Sequence, residues 1–246
     1  MRKTILLFCA LGSLTVLAQT EPIQADRPDQ TETPFIVLKG MLQVETGFTF
    51  QKNDENSNSN SLPSVLWKYG VNENFELRLI TEFVSEKIND EKSNGFTQVL
   101  IGFKVKLCEE KGIFPKTSFI GHIGLHKAAS SKFKTDFVAH EFRFTMQHTL
   151  SDKLSLGYNL GCEWDGMRPE TTFIYTLTAG YSINNKLGCY AELFGFAPQN
   201  ESSNHNFDGG FTYLINNNFM VDLSSGVGIT DNAPDYYLAL GCSFRI

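Results

Sequence analysis

The side chains with chemistry to offer are a few histidines, five cysteines, four of them widely spaced beyond residue 18, and many charged residues at two-residue spacing. His122 and His126 fall on one face of a strand-like run, and four residues of strand separate them by about 13 Å, too far to share a metal unaided. His148 stands near a turn and is followed by Thr149, Leu150 and Ser151, with no His-x-Ser arrangement beside it. A general base needs a nucleophile within hydrogen-bond reach, so no catalytic residues are assigned and the chain reads as a non-enzyme. Cys108, Cys162, Cys189 and Cys242 form no CxxC pair, which argues against zinc. The last three fall on apolar faces, where a thiol behaves as a small hydrophobe. With no Gly-rich phosphate loop either, no metal or cofactor is expected.

The charges have a pattern. In one run Phe75, Leu77, Leu79, Thr81 and Phe83 share a face, while Glu76, Arg78, Ile80 and Glu82 share the other, because side chains alternate along a strand. The same register sets Lys104 and Lys106 opposite Val99, Ile101, Phe103, Val105 and Leu107. It sets Glu141 and Arg143 opposite Phe142, Phe144 and Met146, and Glu163 opposite Leu156, Tyr158 and Leu160. Glu45, Lys68, Glu192, Asp208, Asp222 and Arg245 fall on the polar face of their own runs. Acids and bases on neighbouring strands can line a solute path, or they can serve only as ion pairs that pack a closed interior; the pattern leaves both open.

Twelve such runs start near Gly40, Leu62, Phe75, Gly95, Lys116, Phe137, Leu154, Thr171, Leu187, His205, Phe219 and Asp235. The breaks between them alternate. Val71 to Asn74, Ser151 to Lys153, Asn184 to Lys186 and Asn216 to Asn218 are short and rich in Asn and Asp, as hairpin turns require. Glu109 to Pro115 is a longer member of that set. Asn53–Ser61, Lys87–Asn94, Ala129–Asp136, Asp165–Glu170, Pro198–Asn204 and Thr230–Pro234 read as longer polar loops. Short turns on one side and longer loops on the other, with an even strand count, describe an outer-membrane barrel. Large aromatics at run ends (Tyr69, Phe75, Trp164, Tyr181, Phe219, Tyr236) would form the interfacial girdles. A soluble sandwich also alternates, but its polar side would not concentrate Gly and charges of both signs. The expected fold is all-β: a transmembrane antiparallel up-and-down barrel of about twelve strands over residues 40–246.

The chain begins with Arg2 and Lys3, an apolar stretch from Thr4 to Leu17, and small residues at Val16 and Ala18. That is the layout of an export signal over residues 1–18, cleaved after about Ala18, and it directs the chain to the cell outer membrane. Cys9 lies inside the apolar stretch, which argues against lipidation. No later apolar run reaches the roughly 20 residues of a spanning helix, so a membrane form must be a closed barrel. A net charge of −6 gives no footprint for nucleic acid. Residues 19–39 do not alternate. They are either a periplasmic tail or a segment that tucks into the lumen, where Asp26, Arg27 and Asp29 would meet lumen charges.

The stretch Ala25-Asp26-Arg27-Pro28-Asp29-Gln30-Thr31-Glu32-Thr33-Pro34, followed by Gly40 to Phe48, resembles the opening of the outer-membrane transporter family of the MetA pathway of phenol degradation. Lys68-Tyr69-Gly70, Phe75-Glu76-Leu77-Arg78, Ile101 to Lys104, Leu156 to Gly161, Asp208-Gly209-Gly210 and Asp222 to Gly226 extend the resemblance along the mature chain. The resemblance implies an outer-membrane barrel that moves small molecules, hydrophobic or aromatic ones among them. The ending Phe244-Arg245-Ile246 departs from the terminal aromatic common in such barrels. The expected partners are outer-membrane lipid, a small-molecule solute and, during biogenesis, the barrel-assembly machinery, with the barrel working as a monomer. A non-conducting structural or binding barrel, and an outer-membrane lipase or deacylase using His148, are the alternatives.

Overall fold

The computed structural model describes residues 21–246; the expected export signal lies outside the described residues. Thirteen strands follow in order: β1 (Leu42–Asp54), β2 (Ser57–Asn72), β3 (Phe75–Ile88), β4 (Glu91–Phe96), β5 (Val99–Cys108), β6 (Lys116–Leu125), β7 (His140–Thr149), β8 (Leu154–Trp164), β9 (Thr172–Ser182), β10 (Leu187–Pro198), β11 (Asn204–Asn216), β12 (Phe219–Gly228) and β13 (Tyr236–Arg245). Each pairs antiparallel with its sequence neighbour except β4 and β5, which both pair with β3 and form one interrupted stave. β13 returns to β1, from Gln43↔Arg245 to Lys52↔Tyr236, so twelve staves close into a barrel, with the outer edge of β4 the one left unladdered. Closure is what allows a sheet to sit in hydrocarbon, since every backbone N–H and C=O must find its partner within the protein.

The turns on one side share a local device. Asn72, Asn184 and Asn216 each accept, on the side-chain oxygen, the N–H two residues on, at 2.8 to 2.9 Å. Ser151 Oγ accepts the N–H two residues on, of Lys153, at 3.3 Å and also that of Leu154 at 3.1 Å. These side chains replace a backbone acceptor in the turn, which is why Asn recurs there.

Exposure is inverted relative to a soluble protein. On β3, Glu76 and Arg78 are 0% and 2% exposed, whereas Leu77 on the opposite face is 49% exposed. Phe103, Phe144, Leu160, Leu177, Phe211 and Leu240 likewise point outward, and Tyr69, Tyr181 and Tyr236 stand exposed at strand ends. An apolar girdle of this extent is unstable in water and stable in lipid.

Three expectations are corrected. Asn53–Ser61 and Lys87–Asn94 are not loops: β1 and β2, and β3 and β4, stay paired and turn tightly at Glu55-Asn56 and Asn89-Asp90, with Asn89 at φ 54°. Above the bilayer neither face needs to be apolar, so the alternation vanishes while the hydrogen-bond ladder continues. The second run therefore starts at Ser57 rather than near Leu62. Third, β6 ends at Leu125 and β7 begins at His140, joined through two short 3-10 turns at His126–Ala128 and Ser131–Phe133. His126 thus lies off the strand and does not share a face with His122.

The lipid-facing surface generates a direct prediction. Leu240, outward and midway along β13, should not tolerate charge. Leu240→Arg is expected to lower folding stability by roughly 2–4 kcal/mol in equilibrium unfolding from phospholipid vesicles.

Candidate functional site

The lumen is filled by the segment that precedes β1. It enters beside the β11–β12 turn, where Ile23 N–H donates to Asn217 O at 2.8 Å and Arg245 donates to Glu21 O at 2.6 Å. A small apolar cluster of Ile23, Ala25, Met220 and Leu214 packs the entry. The segment then crosses the interior and turns back. Glu32 N–H donates to Asn159 Oδ1 at 2.8 Å, and Val37 N–H to Glu76 Oε2 at 2.8 Å. It leaves beside the β2–β3 turn, with Gly40 N–H on Gly70 O at 2.7 Å.

Its main anchor is Asp26. Lys68 Nζ and Lys104 Nζ both lie 2.9 Å from its carboxylate, and Arg78 Nη1 lies 3.2 Å away. The same carboxylate accepts Thr33 N–H and Thr33 Oγ1–H at 2.9 Å each, pinning the segment's return limb to its entry limb. Glu45 takes Lys68 together with the N–H of Asp26 at 2.9 Å, and Arg78 Nη2 sits 2.6 Å from Glu32 Oε2. The wall alone supplies three cations (Lys68, Arg78, Lys104) against two acids (Glu45, Glu76), all buried. Asp26 supplies the missing negative charge, and Glu32 adds a second beside Arg78. A buried cation without a partner is costly, so the wall and the segment need one another.

The far side of the lumen is organised differently. Arg27 reaches Asp222 with Nη2 at 2.8 Å and Nε at 3.3 Å. Its guanidinium fills space left by two glycines: a Cβ on Gly47 would fall 2.0 Å from Arg27 Nη1, and one on Gly241 2.5 Å from Nη2. Glu192 receives Gln30 N–H at 2.7 Å and also the hydroxyl of Thr31. Asp208 faces Glu192 across the β10–β11 ladder and is bound by Tyr190 Oη at 3.0 Å and by Tyr237 Oη.

The remaining charges named from the sequence divide by height in the barrel. Glu141 pairs with Arg143 at 2.9 Å, and Arg143 Nη1 donates to Gln30 O at 3.0 Å. Glu82 and Glu163 line a cavity of about 250 Å³ with His122. Lys106 stands at the periplasmic mouth with Glu109 at 2.7 Å, where Lys116 also reaches Glu109 at 2.9 Å. Those hydrogen bonds hold the Glu109 carboxyl below the ordinary carboxylate range. Arg245 braces the chain's entry point and does not reach the lumen's centre. His148 points outward, with Tyr158 Oη 3.3 Å from its Nε2 and Glu110 Oε1 3.9 Å from its Nδ1. Cys162, Cys189 and Cys242 are free and half-buried on the outer face. Tyr190, Tyr237, Glu32 and the two glycines that seat Arg27 were not singled out from the sequence. Inward-facing glycines opposite a segment bearing an arginine were the available signal.

Fold and site together define a plugged twelve-stave barrel of the outer-membrane type. A family model described as the MetA-pathway of phenol degradation matches residues 25–246, and the chain belongs to that family. The matched span covers the plug as well as the barrel. Among solved structures the fold is similar to an outer membrane channel from Pseudomonas putida F1 (TM-score 0.70, 9% identity, 91% of this chain and 100% of that one). It is also similar to the KdgM porin in complex with oligogalacturonate (TM-score 0.56, 10% identity, 82% and 98%) and to the NanC porin (0.56, 10%, 83% and 100%). No curated protein matches the chain.

Removing the Asp26 carboxylate leaves three buried cations short of an acceptor. Asp26→Ala is expected to cost about 3–5 kcal/mol, the usual penalty for breaking a buried charge cluster from one side. The readout is the denaturant midpoint at which the folded, fast-migrating gel band is lost. Glu110→Ala, on the exposed turn, should leave that midpoint in place.

Proposed function

We propose that the protein is a narrow outer-membrane channel for small solutes, aromatic and hydrophobic ones among them, and that it works without enzymatic activity as a single barrel. The observation that carries this reading is a pair of cavities in the lumen, one on each side of the plug. The periplasmic one has a volume of about 320 Å³ and the extracellular one about 360 Å³, each room for one small molecule. Phe194, Phe196 and Tyr237 line the outer cavity beside Asn204 and Asn206, a surface that accepts a ring and a polar substituent together. The family's description, phenol degradation, supports the same solute class. The lumen charges form the socket that positions the plug, and the solute passes beside it.

The lipase reading has less support. The hydrogen bond found at the His148 ring comes from a tyrosine, and no Ser or Thr hydroxyl contacts that ring among the described residues. A general base without a nucleophile has no acyl transfer to perform.

The reading is tested by refolding the mature chain into liposomes and planar bilayers. Swelling in phenol or small sugars together with discrete conductance steps is the expected result. Silence in both assays, from protein that shows the folded gel band, would instead favour a structural barrel.

A further inference from the structure

The two cavities are almost continuous. Their linings share three residues, Arg27, Pro28 and Asp29, and these form the plug's side of the partition between them. The barrel's side is equally local. Tyr190 lines the periplasmic cavity, Tyr237 lines the extracellular one, and both hydroxyls bind Asp208 Oδ2. The partition therefore consists of Arg27-Pro28-Asp29 facing a Tyr190–Asp208–Tyr237 bridge.

The plug is tied firmly on each side of this short stretch. Asp26 sits in its three-cation socket, and Gln30 and Thr31 are bound to Glu192, with Gln30 O also held by Arg143. Between those anchors the Arg27 guanidinium is tied across the lumen to Asp222, seated over Gly47 and Gly241, while Arg27 N–H also donates to Glu45 Oε2 at 3.2 Å and Thr178 hydrogen-bonds Asp29. The charge at the partition has one sign once that pair is set aside. The other titratable groups there are all acids: Asp29 on the plug, Asp208 on the wall, and Glu192 opposite Asp208 on the β10–β11 ladder. Asp208 is 1% exposed, and its second oxygen, Oδ1, has no hydrogen-bond partner, an acceptor held ready in a buried position.

We propose that Arg27-Pro28-Asp29 and the Tyr190–Asp208–Tyr237 bridge are the gate of a single path along the β8–β13 side of the lumen. The Arg27–Asp222 pair latches it, and its acidic lining admits neutral and cationic solutes that donate hydrogen bonds while rejecting anions. This rests on the channel reading above. Release of Arg27 from Asp222 joins the two cavities, and a solute hydroxyl or ammonium then meets Asp208 Oδ1 as it passes. The cationic cluster of Lys68, Arg78 and Lys104 takes no part, because Asp26, Glu45, Glu76 and Glu32 neutralise it on the opposite wall.

Single-channel recording of the full mature chain in planar bilayers tests this with two independent ways of freeing the latch. Asp222→Asn removes the charge partner. Gly47→Ala leaves both charges in place and puts a methyl where the guanidinium sits, its three nearest atoms all belonging to the Arg27 side chain. Each is expected to raise open probability about tenfold, the shift that follows loss of one bidentate charged pair. The exchange Arg27→Asp with Asp222→Arg should return it toward the parent value. In a potassium chloride gradient the reversal potential should report cation preference, reduced in Asp208→Asn, whose amide oxygen still accepts from the tyrosines. The folded gel band qualifies each variant, and either latch variant alone is sufficient. A parent channel that conducts, with both latch variants unchanged, overturns the gate. Anion preference overturns the selectivity. Silence from the parent and both latch variants counts against the channel reading itself.

Discussion

A single buried carboxylate, Asp26, holds the interior together. It accepts from Lys68, Lys104, Arg78 and Thr33 at once, and its contacts with the three cations are buried. Cations from three different staves meet at one anion carried by a segment outside the sheet. In a low-dielectric interior such a cluster is favourable only when complete, since each partner left alone would carry its full desolvation cost. The plug is thus part of the folded barrel and not an accessory to it. The wall would retain uncompensated positive charge if the segment left, and the segment would expose a run of polar backbone donors that Glu45, Glu76, Asn159 and Glu192 now accept.

That constraint explains why the lumen is asymmetric. On the β2–β5 side, the wall's cations and the plug's acids are paired with one another. On the β8–β13 side, inward positions include Gly157, Gly180, Gly188, Thr178 and Thr212, and the cavities of about 320 and 360 Å³ open there, the outer one reaching Thr49 and Gln51 of β1. Rigid anchoring and available space therefore occupy opposite walls, an arrangement in which part of the plug can shift while its anchor stays fixed. The outer surface contributes a second, independent constraint. Its apolar girdle commits the barrel to lipid, where the ladder between β13 and β1 pairs the backbone groups of the first and last strands.

Much of this is legible in the amino-acid order. Period-two alternation in runs such as Phe75 to Phe83 names the lipid face and the lumen face residue by residue, because a strand leaves no other choice. Asn-rich breaks locate the tight turns for a reason as local as one side-chain hydrogen bond. Alternation fails where both faces meet water, which is why the paired extensions around Glu55-Asn56 and Asn89-Asp90 look like loops in sequence. The site is less legible. That Asp26, Arg27 and Asp29 could meet lumen charges follows from their types, but the partners depend on how a non-periodic segment bends inside a barrel. Nothing local distinguishes Asp222 from Asp208 as the acceptor for Arg27. The distinction comes from Gly47 and Gly241, residues far apart in sequence whose missing side chains together make room for one guanidinium.

The account stands on the plug being docked in the folded barrel. Amide hydrogen exchange of the refolded protein in lipid, followed residue by residue, reads this directly. The N–H groups of Asp26, Gln30, Glu32 and Val37, each bound to a wall side chain, should exchange as slowly as those of the neighbouring strands. Exchange of these four at the rate of a free peptide, with the strands still protected, would contradict it.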